Sequence, residues 1–213
     1  MPQKTLLSHA CFGPVQYFVH LTRGPVIIEK YTNYSRQTYR NRYIIAAANK
    51  PLSLSIPVEK GNTTKIPDKD VRIAYHTSWQ KNHLRSIISA YNASPFLEFY
   101  IDDLMPFFEK KYSFLMDFNL EATELICNLL ELNTQISFSE TYIQEPPKDE
   151  ILDMRDRIHP KRSFKTEDPV FQPLSYNQVF DERHGFVPNL SVLDLLFNKG
   201  PEARIILEKS LKD

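Results

Sequence analysis

The residue types best suited to hold a ligand stand together in Tyr34-Ser35-Arg36-Gln37-Thr38-Tyr39-Arg40-Asn41-Arg42. Three guanidinium groups fall within seven residues, with no acid among them. Arg offers a planar fork that meets carboxylate or phosphate oxygens at two points, with bonds about twice as strong as neutral ones. If the stretch is extended, Arg36, Thr38, Arg40 and Arg42 share one face, and Gln37, Tyr39 and Asn41 the other. Thr, Tyr and the apolar Tyr43-Ile44-Ile45 that follow favour that extended form. The chemistry expected is an anion-holding surface for a small substrate. The plainer alternative is that each Arg pairs with an acid supplied by the fold.

Proton-moving candidates lie around this stretch. Glu29 ends an apolar strand and faces the Arg cluster, so it can orient an amine or serve as a base. Its alternative role is an ion pair with Arg40 or Arg42. His9 lies near the end of the first strand. His184 precedes Gly185 on a loop, where an imidazole either moves a proton near neutral pH or fixes the turn through backbone bonds. His83 faces Trp79 one helical turn away and reads as a packing residue. Asp156-Arg157-Ile158-His159-Pro160-Lys161-Arg162 can hold an anion or lie solvated. Glu98 and Asp102 are one turn apart, but no His or Cys joins them and Asp103, so they read as a solvated face rather than a metal site. Cys11 follows an apolar strand and reads as a core thiol.

The elements that must position these groups begin with a strand over residues 5–12, a helix opened by Pro14 and running to about residue 22, and a β-branched strand over residues 26–29. Strand, short helix and strand imply parallel pairing, and ligands bind beyond the carboxyl ends of such strands. That places residues 29–42 at the site. Residues 43–48 and 51–58 predict a hairpin, and residues 71–74 a short strand. Helices are expected over residues 78–92, over 94–111 with a kink at Pro106, and over a third span to about residue 132 capped by Asp117 or Asn119. A brief strand covers residues 136–139. Residues 141–173 are irregular, with a short helix near Ile151, and residues 176–180 predict a strand. Ser191 and Asp194 form a capping box for an apolar helix over residues 192–197, and Gly200-Pro201 starts the last helix. The fold class expected is α/β: an N-terminal βαβ unit in a mixed, mostly parallel sheet, a central helical segment and C-terminal helices. One domain is expected over residues 1–213, sheet-rich over 1–75, helical over 76–132 and loop-rich with the C-terminal helices over 133–213.

Composition narrows the function. The 26 basic and 26 acidic residues cancel, which argues against a general nucleic-acid or anionic-membrane binder. Gly is scarce at 5 of 213 residues, and no Gly-x-Gly-x-x-Gly occurs, so a dinucleotide fingerprint is lacking. Neither a signal peptide nor an apolar run near the roughly 18 residues of a membrane span is found, so a cytoplasmic, soluble protein is expected. Cys11 and Cys127 are expected as free, buried thiols. No cofactor follows from the residues.

The run Glu182-Arg183-His184-Gly185-Phe186-Val187-Pro188-Asn189-Leu190-Ser191-Val192-Leu193-Asp194-Leu195-Leu196-Phe197-Asn198-Lys199-Gly200-Pro201-Glu202 resembles the C-terminal motif of the WbqC-like family. Phe12-Gly13-Pro14-Val15-Gln16-Tyr17-Phe18 is similar to that family's opening turn, and Gln37-Thr38-Tyr39-Arg40-Asn41-Arg42 to its Arg-Asn-Arg segment. The helices around Trp79, Tyr91 and Ser94-Pro95-Phe96 are similar to its central pair. The resemblance implies an α/β protein associated with bacterial surface-polysaccharide or O-antigen biosynthesis, viewed as transferring an amino acid such as glycine to an amino sugar. It adds Gln16 and Tyr17 to the substrate-binding candidates, and a nucleotide sugar to the candidate anionic substrates. Where many members carry a Gly-rich segment after the central helices, residues 141–173 contain no Gly. Two rival readings use the same surfaces: a non-catalytic nucleotide or anion binder, and an interaction subunit of a polysaccharide assembly complex whose aromatics Tyr31, Tyr34 and Tyr39 meet a protein.

Overall fold

A computed structural model describes residues 3–59 and 65–212. Strand β1 (Lys4–Ser8), helix α1 (Val15–Thr22) and strand β2 (Val26–Glu29) form the expected βαβ unit. β1 and β2 pair in parallel, with Ser8 opposite Glu29. Apart from the exposed Lys4 and the half-buried Ser8 and Ile27 both strands are buried, as expected of parallel strands covered on both faces. The strand at residues 5–12 is shorter than expected. Beyond Ser8 the chain leaves the sheet, and Phe12 takes φ 38°.

Strands β3 (Arg42–Ile45) and β4 (Leu52–Ser55) pair antiparallel as a hairpin, apart from the main sheet. Residues 71–74 make only isolated bridges, Val58 with Ile73 and Arg72 with Phe114. Helices α2 (Trp79–Tyr91), α3 (Leu97–Glu109) and α4 (Leu115–Leu129) form the central helical part, and α3 continues through Pro106. α4 begins ahead of both expected caps. Asn119 is fully buried and turned inward, not spent on the helix end.

Strand β5 (Ile136–Phe138) adds to β2, and β6 (Ile151–Asp153) to β1, both in parallel. The four-stranded order is β5-β2-β1-β6, wholly parallel among the described residues. The short helix expected near Ile151 is therefore a strand. Three residues suffice because Lys4, Thr5 and Leu6 already offer a free parallel edge. Helix α5 (Phe164–Glu167) and helix α6 (Asp181–His184) are single turns. The strand expected at residues 176–180 is absent. Tyr176 and Gln178 are tied by their side chains to Asp194 instead of by a backbone ladder.

Helices α7 (Val192–Lys199) and α8 (Ala203–Lys209), joined by a 3-10 turn at Gly200–Glu202, pack with α1. Ser191 caps α7, its Oγ accepting from the Leu193 amide at 3.3 Å and donating to the Phe12 carbonyl at 2.7 Å. Asp194 is not the other half of a capping box. Its carboxylate is fully buried and accepts from the hydroxyls of Tyr91 (3.0 Å) and Tyr176 (2.7 Å) and from Gln178 Nε2 (2.8 Å). Backbone bonds from Val15 to Leu190, from Val192 to Gly13 and from Ser191 to Ile44 stitch the opening turn, the hairpin and α7 together. Cys11 and Cys127 are free and buried, and burial pushes both thiols up, Cys127 to about 12.

Candidate functional site

The Arg-rich stretch is a turn, with Gln37 at φ 62°. Strand alternation therefore does not hold, and the three guanidinium groups part company. Arg40 turns inward beneath the end of β1, where the Cys11 amide donates to the Tyr39 carbonyl at 2.8 Å. Its Nε donates to Asp68 Oδ2 at 2.6 Å and its Nη2 to Ser8 Oγ at 2.7 Å, with both side chains buried. Arg40 is thus neutralised by an acid the fold supplies. Arg36 is exposed, and Arg42 lies on the hairpin with its Nε donating to Ser55 Oγ at 3.2 Å. The three guanidinium charges are all felt at the Tyr34 hydroxyl, but they do not meet in one place. All three favour its anion, but burial and Asp68 outweigh them and push it up to about 12. Asn41 donates to the Ile56 carbonyl and belongs to the hairpin.

Glu29 is buried and its oxygens are spoken for. Oε1 accepts from the Tyr31 amide and Ser139 Oγ, and Oε2 from the Ile143 amide, with Arg155 Nη1 at 3.5 Å. Its ion pair is with Arg155, not with Arg40 or Arg42, because β6 delivers Arg155 to the same sheet edge. A carboxylate so committed anchors the loop after β5. His184 sits far along the fold, its Nε2 facing the Ala47 and Ala48 carbonyls at 3.2 and 3.1 Å, where it pins the hairpin turn. Gln16 binds Asp168 and Asn189, and is a structural pin between α1 and the C-terminal segments.

The structure does bring His9, Tyr17, Tyr39 and Arg40 together. They line a cavity of about 20 Å³ with Ser8 and Arg155, at the carboxyl edge of the parallel sheet. Two of its walls are the turn holding Thr38 and the segment holding Ile158 and His159. Lys161 Nζ reaches across to Gln37 Oε1 at 2.7 Å and joins these two walls. Of the basic run from Arg157 to Arg162, ambiguous in the sequence, Ile158 and His159 thus line the cavity.

Behind the cavity is a buried polar cluster. Asn119 Nδ2 lies 2.6 Å from His9 Nδ1 and 2.7 Å from the Arg40 carbonyl. His9 Nε2 lies 3.9 Å from Asp68 Oδ2. His9 Nε2, Asp68 Oδ1 and Asn119 Oδ1 are buried without a hydrogen-bond partner among the described residues. Such atoms each cost about 1–3 kcal/mol, so a cluster of them marks a place where stability yields to another requirement. Burial and the Arg40 charge lower His9 to about 3. Burial pushes Asp68 up to about 6 against the pull of Arg40. The pair thus holds a neutral imidazole and a carboxyl that titrates near neutrality.

Sequence reasoning missed Asp68, Asn119, Ser8 and Arg155. Asn119 carried one signal: it is in register with Leu115, Ala122 and Ile126 on the buried row of α4. Asp68, on a 3-10 turn (Asp68–Asp70) in a charged loop, carried none.

Among the described residues no helix is long and apolar enough to cross a membrane. The sequence profile of the WbqC-like protein family matches residues 15–169 and 162–206. An uncharacterized protein of Mycobacterium tuberculosis is 25% identical over 189 residues, covering 80% of this chain and 81% of that protein. No solved structure matches. Since the matched segments take in most of the 213 residues, the chain belongs to the WbqC-like protein family.

Proposed function

We propose that this protein is a group transferase acting on a small anionic substrate, with its reacting centre at the His9–Asp68 cluster. The observation that supports the reading is the buried cluster of unpartnered His9 Nε2 and Asp68 Oδ1 beside Arg40, at the edge where parallel sheets bind ligands. The cavity admits only a small reacting group. The body of the substrate lies outside, against Arg36, Lys161 and Arg162, all exposed. These cations suit phosphate, as a nucleotide sugar would present. The acceptor is an amino sugar of a bacterial surface polysaccharide and the transferred group an aminoacyl group such as glycyl. In the reaction the acceptor nitrogen or oxygen bonds to the acyl carbon and gives its proton to Asp68. The activating group leaves with the former bonding pair.

Titration with nucleotide-activated amino sugars, with glycyl incorporation followed by mass spectrometry, tests this. Saturable binding weakened about tenfold by Lys161→Glu, with turnover lost in Asp68→Asn, is the expected result. Binding without turnover of any activated glycyl donor would make the protein a non-catalytic binder. Binding of none of these compounds would overturn the site.

A further inference from the structure

We infer that Asn119 is a positioning residue that locks His9 as a neutral hydrogen-bond donor, so that His9 offers Nε2–H to a substrate oxygen and does not act as the base. The inference rests on the transferase reading for the word substrate; the locking itself rests on geometry alone.

The amide of Asn119 faces two groups through one atom, 2.7 Å from the Arg40 carbonyl and 2.6 Å from His9 Nδ1. A carbonyl oxygen can only accept, so the atom facing it is the amide nitrogen. One of its hydrogens goes to Arg40 and the other to His9. His9 Nδ1 must therefore present a lone pair. In a neutral imidazole the hydrogen then sits on Nε2. Protonating His9 would set Nδ1–H against an amide N–H, and the Arg40 guanidinium adds repulsion. The lowered affinity of His9 for a proton, about 3, has the same direction. The charged groups around it are Arg40 from the turn, Asp68 from the 3-10 turn and Arg155 from the segment after β6, the last held by Glu29 and Asp153.

Among the described residues Nε2–H has no partner: Asp68 Oδ2, at 3.9 Å, is beyond hydrogen-bonding reach. A neutral donor held without a partner suits an oxygen that becomes more negative as the reaction proceeds, and costs no reorganisation when it does. The site thus favours a ligand presenting a carbonyl, phosphoryl or hydroxyl oxygen to His9 and disfavours an ammonium there. Asp68 remains the proton acceptor.

Nitrogen-15 NMR of the histidine-labelled full chain reads the tautomer without any assay of activity. The expected spectrum has His9 Nδ1 bare and Nε2 protonated, a tautomer kept between about pH 5 and 8 even as Asp68 titrates beside it. Asn119→Asp replaces the donor by an acceptor, and moves the proton to Nδ1. With a nucleotide-activated amino sugar bound, the Nε2–H resonance shifts. A wild-type spectrum with Nδ1 protonated, or with His9 titrating in that range, overturns the locking. A bound ligand that leaves Nε2–H unmoved overturns the donor role. If no ligand binds while the tautomer is as stated, the transferase reading fails and the locking by Asn119 stands.

Discussion

Acid should unfold this protein earlier than its zero net charge suggests, and two histidines account for most of the effect. His9 and His83 are buried and neutral, held at about 3 and about 4 against an ordinary 6.5. His83 is enclosed by Trp79 and by the Tyr43 hydroxyl, 3.0 Å from its Nδ1. Below 6.5 the unfolded chain takes up a proton at each imidazole and the folded chain does not. Their contribution to stability is therefore full above 6.5, is lost as pH falls below it, and stops falling only near 3 and 4. At about pH 5 each has lost ~2 kcal/mol. Asp68 has the opposite sign. Raised from 3.8 to about 6, it keeps a proton in the fold that the unfolded chain releases, so lowering the pH through 6 towards 3.8 stabilises the fold. By about pH 5 that returns ~1 kcal/mol. From these three groups the net loss between about pH 7 and about pH 5 is ~3 kcal/mol, a large share of the 5–15 kcal/mol typical of a domain. Urea melts at the two pH values measure it. His9→Gln, which keeps an acceptor for Asn119 and cannot take up a proton, should remove ~2 kcal/mol of that loss. A variant whose melts shift as much as wild type would refute the burial of a neutral imidazole at position 9.

Asp194→Leu separates a cap from a network. A capping contact would cost about 1 kcal/mol, whereas stranding Tyr91, Tyr176 and Gln178 costs about 4 kcal/mol in urea melts. Gly200→Ala should cost about 3 kcal/mol by the same assay, because φ is 51° and the added carbon would lie 2.6 Å from the Phe96 ring. Ser191→Ala removes a cap and the bond to the Phe12 carbonyl, and should lower stability by about 1.5 kcal/mol; an unchanged midpoint would deny it that double role.

Much of the fold was legible because its signals are local. Pro14 opens α1, Val26-Ile27-Ile28 reads as a buried strand, and a strand-helix-strand run of that length leaves parallel pairing as the economical solution. The family motifs were legible too, but their physical role is stitching. Leu190, Ser191 and Val192 bind the turn at Phe12, Gly13 and Val15 and the strand at Ile44. β6 was misread because a three-residue strand carries too little periodicity to be told from a helical turn; its pairing is dictated by the edge of β1, a partner 147 residues away.

The Arg cluster misled for a related reason. Alternation assumes a strand, and one residue at positive φ, Gln37, breaks it and sends Arg40 inward while Arg36 stays in solvent. Whether a guanidinium is free or paired depends on an acid that need not be nearby in sequence, and Asp68 lies 28 residues on. The candidate site is instead assembled from single polar residues of four separate segments: His9 after β1, Arg40 in the turn, Asp68 before α2 and Asn119 in α4. Each has an ordinary local explanation, a strand end, a basic loop, a charged loop and a helix cap. Only their meeting in one buried place makes them a candidate for the proposed chemistry, since a lone buried polar atom costs stability, whereas several that face one another could hold a substrate oxygen and a proton at once.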